Sequence, residues 1–181
     1  MRKLFAGILL AAALPASASI SSELAAGNAS VADIINNAMA ACGGGAACQE
    51  QAIAEAVAAG VDMTTVINLA VASGVDAKAA VTAVSEAGLK NGVSVDAVLS
   101  AALAAKGVPA AIAVGGVTAG AEKTGVSAQA AQNAVKTAAT KLNVDPQVVA
   151  TVTQATTKTV VKKSIPKPPP LLTPTDISPA K

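Results

Sequence analysis

The chain has 181 residues, enough for one domain with a core of its own, and 52% of them are apolar although only 1% are aromatic. Histidine, tryptophan and tyrosine are absent, Phe5 is the one phenylalanine, and the formal net charge is +2. The composition therefore argues against most enzymes, against a metal or cofactor site and against base-reading nucleic-acid binding. The commonest general base and neutral metal ligand are missing, and no ring is present to stack on a base.

Met1-Arg2-Lys3 is a short basic region, Leu4 to Leu14 an apolar run, and Ala16-Ser17-Ala18 a small-residue cleavage site. Residues 1–18 thus read as a secretory signal peptide cut before Ser19. No cysteine lies near the cut, which argues against a lipoprotein anchor. The expectation is an exported chain, periplasmic, outer-membrane associated or extracellular, in the style of a bacterial envelope protein. Its mature form has no aromatic residue, and so lacks the side chains that usually dominate interface hot spots.

Ser19 to Asn28 is too mixed to assign. Ser30, with Asp33 three residues later, imitates a capping box ahead of a helix to Ala41 whose stripe is Ile34, Ile35, Ala38 and Met39. Cys42-Gly43-Gly44-Gly45-Ala46-Ala47-Cys48 joins it to a second helix, Gln49 to Ala59, carrying Ile53 and Val57. In an exported chain, Cys42 and Cys48 are expected to form a disulfide, and the glycines allow so short a loop to close. A metal pair would need further ligands, a haem signature CxxCH, and a redox motif CxxC.

The next stretch is punctuated. Gly60-Val61-Asp62 and Gly74-Val75-Asp76 open two blocks of 14 residues, with Gly88 closing the second. Related triplets return at Gly92-Val93-Ser94, Gly125-Val126-Ser127 and Asn143-Val144-Asp145. Each triplet can serve two helix ends at once. Glycine or asparagine suits the left-handed residue past a helix. The valine can pin the corner to both helices, as Val61 with Val66 and Val144 with Val149. The Asp or Ser caps the next helix, worth about 1 kcal/mol over alanine. Pro146 then suits a first helical position.

Leu89 to Asn91 is expected to lengthen one corner before a helix from Val95 to Lys106. Gly107-Val108-Pro109 is a variant corner with proline at a helix start. Ala110 to Gly120 contains Gly115, Gly116 and Gly120, so it should be short, irregular or closely packed. Gly116 and Gly120 also have the spacing of a membrane helix-dimer motif, but the corners divide this segment and no membrane span is expected in the mature chain. Helices are expected over Ala128 to Leu142 and from Pro146 to about Lys162. The prolines from Pro166 onward read as an extended tail.

The sequence therefore implies an all-α domain over residues 19–163: an α-solenoid-like array of short Ala-rich helices in hairpin repeats, followed by a disordered Pro/Lys-rich tail, 164–181. Small side chains bury little area each, so a lone array should be marginal. Charge is polarised, with 3 lysines against 9 acids from Ser19 to Glu122 and 8 lysines against 2 acids thereafter. The expected function is a non-catalytic structural protein that associates with itself, other envelope proteins or an anionic envelope polymer. Lys158, Lys162, Lys163 and Lys167 are its expected basic contacts. The alternatives are a binding module tethered by that tail and a membrane-active secreted peptide.

Overall fold

A chain whose apolar residues are mostly alanine and valine can bury them only by bringing short helices close together, and this chain does so by turning sharply after each one. The computed structural model describes residues 20–152. The described residues are all-helical: α1 (Ile20–Ala26), α2 (Val31–Ala41), α3 (Ala46–Ala58), α4 (Met63–Ala72), α5 (Ala77–Lys90), α6 (Val95–Ala104), α7 (Ala110–Lys123) and α8 (Ala128–Lys141). A ninth helix, α9, opens at residue 146 and is helical to the end of the described residues. The expected signal peptide, the far end of α9, the Pro-rich tail and Lys158, Lys162, Lys163 and Lys167 lie outside them.

Among α1 to α8, every helix packs against the next one and the next but one, and none packs against a helix further along. Odd-numbered helices therefore form one row and even-numbered helices another. Polar contacts tie each row laterally. In the even row, Ser73 at the end of α4 donates to Asn36 of α2, Thr64 of α4 to the carbonyl of Ala101 in α6, and the Lys106 amide to Asn68 Oδ1 at 2.7 Å.

α5 is the centre of the array, touching α3, α4, α6 and α7, and its contact with α7 is the most extensive in the fold. The two run parallel, Gly116 lying over Val81 and Gly120 over Ser85. A Cβ on Gly120 would stand 2.5 Å from Ser85 Cβ and 2.9 Å from the Thr82 carbonyl oxygen, and one on Gly116 2.6 Å from Val81 Cγ1. Ser85 and Thr118, buried beside this seam, donate their hydroxyls to Val81 O and Val114 O inside their own helices. No polar atom of theirs is left unmet as the helices close. The Gly116/Gly120 spacing thus serves a seam within this fold, and no helix of the described residues is long and apolar enough to cross a membrane.

Around the seam the core is aliphatic: Ile34, Ile35, Ile53, Ile67 and Leu99 are fully buried, joined by many valines and alanines. Five expectations change. Ser19 to Asn28, left unassigned, contains α1, which buries Ile20. α3 begins at Ala46, three residues before the expected Gln49, because Gly45 serves as its N-cap. Gly88 does not close a block; it sits inside α5, buried where the start of α4 and of α6 approach, with Met63 Sδ 3.1 Å and Val98 Cγ2 3.3 Å from an added Cβ. α6 stops at Ala104, short of Lys106, since the Lys106 amide is taken by Asn68. Ala110 to Gly120 is neither short nor irregular, α7 continuing to Lys123 with Pro109 at its N-cap; close packing is the expected outcome that holds.

The seam separates two kinds of glycine. Gly120→Ala should destabilise the fold by about 1–3 kcal/mol through overpacking. Gly115→Ala, whose Cβ would meet only Val152 Cγ1 at 3.4 Å, should be neutral or add up to about 1 kcal/mol of helix propensity. Urea unfolding of the two variants checks the contrast.

Candidate functional site

The corner triplets are the residues the sequence singles out, and their local chemistry can be followed atom by atom. At Gly60 the amide donates to Val57 O at 3.0 Å and that of Val61 reaches back to Ala56 O at 3.1 Å. This paired pattern satisfies two of the orphan carbonyls of α3. The same pair of bonds recurs at Gly74-Val75, Gly92-Val93 and Asn143-Val144. The glycines have φ between 81° and 90° at these sites, and Asn143, at 54°, is the non-glycine residue with positive φ among the described residues. Val61, Val75, Val93 and Val144 pack partly buried against the core, as do Val66 and Val149 within it.

The third residue of each triplet caps the following helix. Asp62 accepts from the Thr65 amide at 2.8 Å, Asp76 from Ala79 at 3.0 Å, and Ser94 and Ser127 from Ala97 and Ala130 at 3.3 Å. Asp145 differs, accepting from Gln147 two residues on. Ser30 also caps, accepting from the Asp33 amide, while its hydroxyl donates to the Asp33 carboxylate instead of the carboxylate returning to the backbone.

Gly125-Val126-Ser127 is the exception. Gly125 closes on Glu122 O, but Val126 is 43% exposed and does not pin the corner.

The triplets do not converge on one site. Successive corners alternate between the two edges of the array, so Gly60 and Gly92 flank the Gly88 contact on one edge. Gly74 lies on the other, beside Ser73, Asn36 and the Gly43-Gly44 turn. They position helices and gather no reacting groups. No cluster of three or more His, Cys, Asp or Glu that could hold a metal occurs among the described residues.

Cys42 ends α2 and Cys48 lies in the first turn of α3. Their sulfurs are at disulfide distance and their Cα atoms 5.4 Å apart. Gly43 and Gly44, at φ 55° and 82°, turn the chain between them.

The charged residues form a pattern that residue order alone hides. Lys123, at the end of α7, lies 3.5 Å from Glu86 of α5 and 3.4 Å from Glu50 of α3, so one ammonium spans the odd row. Lys90 lies 2.6 Å from Glu86. Lys141 of α8 pairs with Asp96 of α6 at 2.7 Å in the even row. The Lys90 hydrogen bond, reinforced by the charges of Lys90 and Lys123 and opposed by partial burial, holds the Glu86 carboxyl below its ordinary pKa. Two of the eight lysines beyond Glu122 are therefore already matched to acids of the preceding helices, so part of the charge polarity is used within the molecule.

A cavity of about 710 Å³ opens where α8 meets α9, with Lys136 and Val149 among its walls. Sequence reasoning did not identify it, since its shape depends on how α8 and α9 lie against each other. No protein-family model, curated protein or solved structure matches the chain.

Replacing both cysteines by serine should cost about 2 kcal/mol, the chain-entropy value for so short a loop, read as a lowered unfolding midpoint that the oxidised parent shows only after reduction. Glu86 titrates below an ordinary glutamate in the folded protein, so its contribution to stability is present above the ordinary value and fades as pH falls through the lowered one. Lys90→Gln should move the Glu86 carboxyl resonance back toward the ordinary titration range.

Proposed function

We propose that the chain is an exported, non-catalytic structural protein, built as an α-solenoid of short helical repeats, that associates with itself at the cell envelope. The observation that carries this reading is the contact rule. Each helix is covered by its two neighbours on either side in the array, so a finite array leaves its first and last helices half covered. Alanine is the commonest residue of the core and buries little area per residue, so covering those ends would add to the apolar area removed from water.

Two further features support the reading. Val31, at the start of α2, and Val126 are the large apolar residues most exposed among the described ones, at 38% and 43%. The opening basic and apolar stretch and the pair Cys42/Cys48 fit an oxidising compartment. The Pro-rich tail with Lys158, Lys162, Lys163 and Lys167 would add contact with an anionic envelope polymer.

The mature, oxidised chain should show a scattering-derived mass that rises with concentration and falls with added salt. A monomer at high concentration and low salt would refute self-association. Removing residues 162–181, and with them Lys162, Lys163 and Lys167, should release the protein from the envelope fraction and leave its helical circular dichroism unchanged.

A further inference from the structure

The contact rule has a consequence at the end of the array. Each helix from α3 to α8 lies against the pair before it, as α6 does on α4 and α5, α7 on α5 and α6, and α8 on α6 and α7. α9 continues the odd row, Val152 approaching Gly115 of α7. The pair α8 and α9 should therefore offer a groove for one helix more. A groove stands there: the cavity of about 710 Å³ is lined by Lys136, Thr140, Asn143, Val144, Pro146 and Val149. Its apolar walls come from the corner and α9, and among the described residues its one charge comes from Lys136. Among the described lysines after Glu122, Lys123 and Lys141 have acid partners and Lys136 has no ion pair.

At the other end, α1 packs only against α2 and α3. It is a seven-residue helix whose exposed residues include Ser22, Ala25 and Ala26, side chains as small as those at the helix seams inside the fold. Its carboxylate, Glu23, has no ion pair or hydrogen bond among the described residues. Apart from the α-ammonium that a cut before Ser19 leaves, its end of the chain carries no positive charge, since no lysine or arginine occurs from Ser19 to Ala77.

We propose that α1 of a second copy of this chain seats in the groove between α8 and α9, with Glu23 of the partner subunit facing Lys136, so that copies extend the array head to tail. This rests on the self-association proposed above and assigns it a place. The chain's own tail, residues 164–181, is the poorer occupant: it carries Lys167 and Lys181 against one acid, Asp176, and would meet a groove where Lys136 already supplies a positive charge. A head-to-tail contact of this kind is heterologous, so it generates a ring if the rotation between copies closes and a filament if it does not.

The test is analytical ultracentrifugation of the mature, oxidised full chain across concentration, for the parent, Lys136→Glu, Glu23→Lys and the double variant. Circular dichroism establishes that each variant keeps its helices. Each single variant should weaken association at least about tenfold, and the double variant should recover most of the loss, because like charges that face each other are costly and the swapped pair is again complementary. A monomeric parent overturns this contact and the proposed function together. A parent that assembles alongside single variants that assemble equally well overturns this contact alone, as does a double variant no better than the singles. Tighter assembly on removal of residues 164–181, with no effect of the charge swaps, would give the groove to the tail and overturn it too.

Discussion

Where α5 meets α7, two helices are held together with almost nothing between them. Gly116 and Gly120 expose the backbone of α7 to Val81, Ser85 and the carbonyls of Lys78 and Thr82. Dispersion falls off steeply with distance, so helices lined by alanine and glycine gain from packing only at such short range. With no aromatic residue after Phe5, this close approach adds density to an aliphatic core, and α5 at the middle of the array buries small residues, Ala80, Ala83, Ala87 and Gly88, beside Val81 and Val84.

Close approach also sets what the corners must do. Two helices at short separation can be joined only by a connection that stays out of the way, and three residues suffice when glycine takes the left-handed turn and Asp or Ser caps the next helix. The polar atoms of both helix ends are then met locally. That leaves the helix flanks free for lateral ties such as Asn68 to the Lys106 amide and Lys123 to Glu50 and Glu86. Most of those ion pairs are exposed and individually weak, but each joins helices that are not consecutive, so they align rows as well as stabilise them.

The corners and the helices between them were legible in the sequence because their chemistry is local. Gly60, Gly74, Gly92 and Asn143 needed only the residues beside them to be recognised. Gly88 was not separable from the corner glycines by the same logic, because what distinguishes it lies elsewhere in the chain, at Met63 and Val98; the Gly116/Gly120 spacing was readable as a packing motif, but not that its partner is Val81 and Ser85 of α5. α1 escaped notice since Ile20 and Leu24 are its only large apolar residues. The charge polarity was visible, but its partial use inside the molecule, by Lys123 and Lys141, depends on which helices lie side by side. The groove beside Lys136 has no sequence signature at all, being a property of how α8 and α9 lie together.

A stacked array with half-covered ends should be most stable in the middle, and association should protect only its ends. Amide hydrogen exchange of the mature, oxidised protein, measured residue by residue at low and high concentration, tests this most directly. The account predicts slowest exchange in α5 and α7, faster exchange toward α1 and α9, and a rise in protection with concentration confined to α1, α2, α8 and α9. Uniform protection along the chain, or earlier opening of α5 and α7 than of the ends, would contradict it.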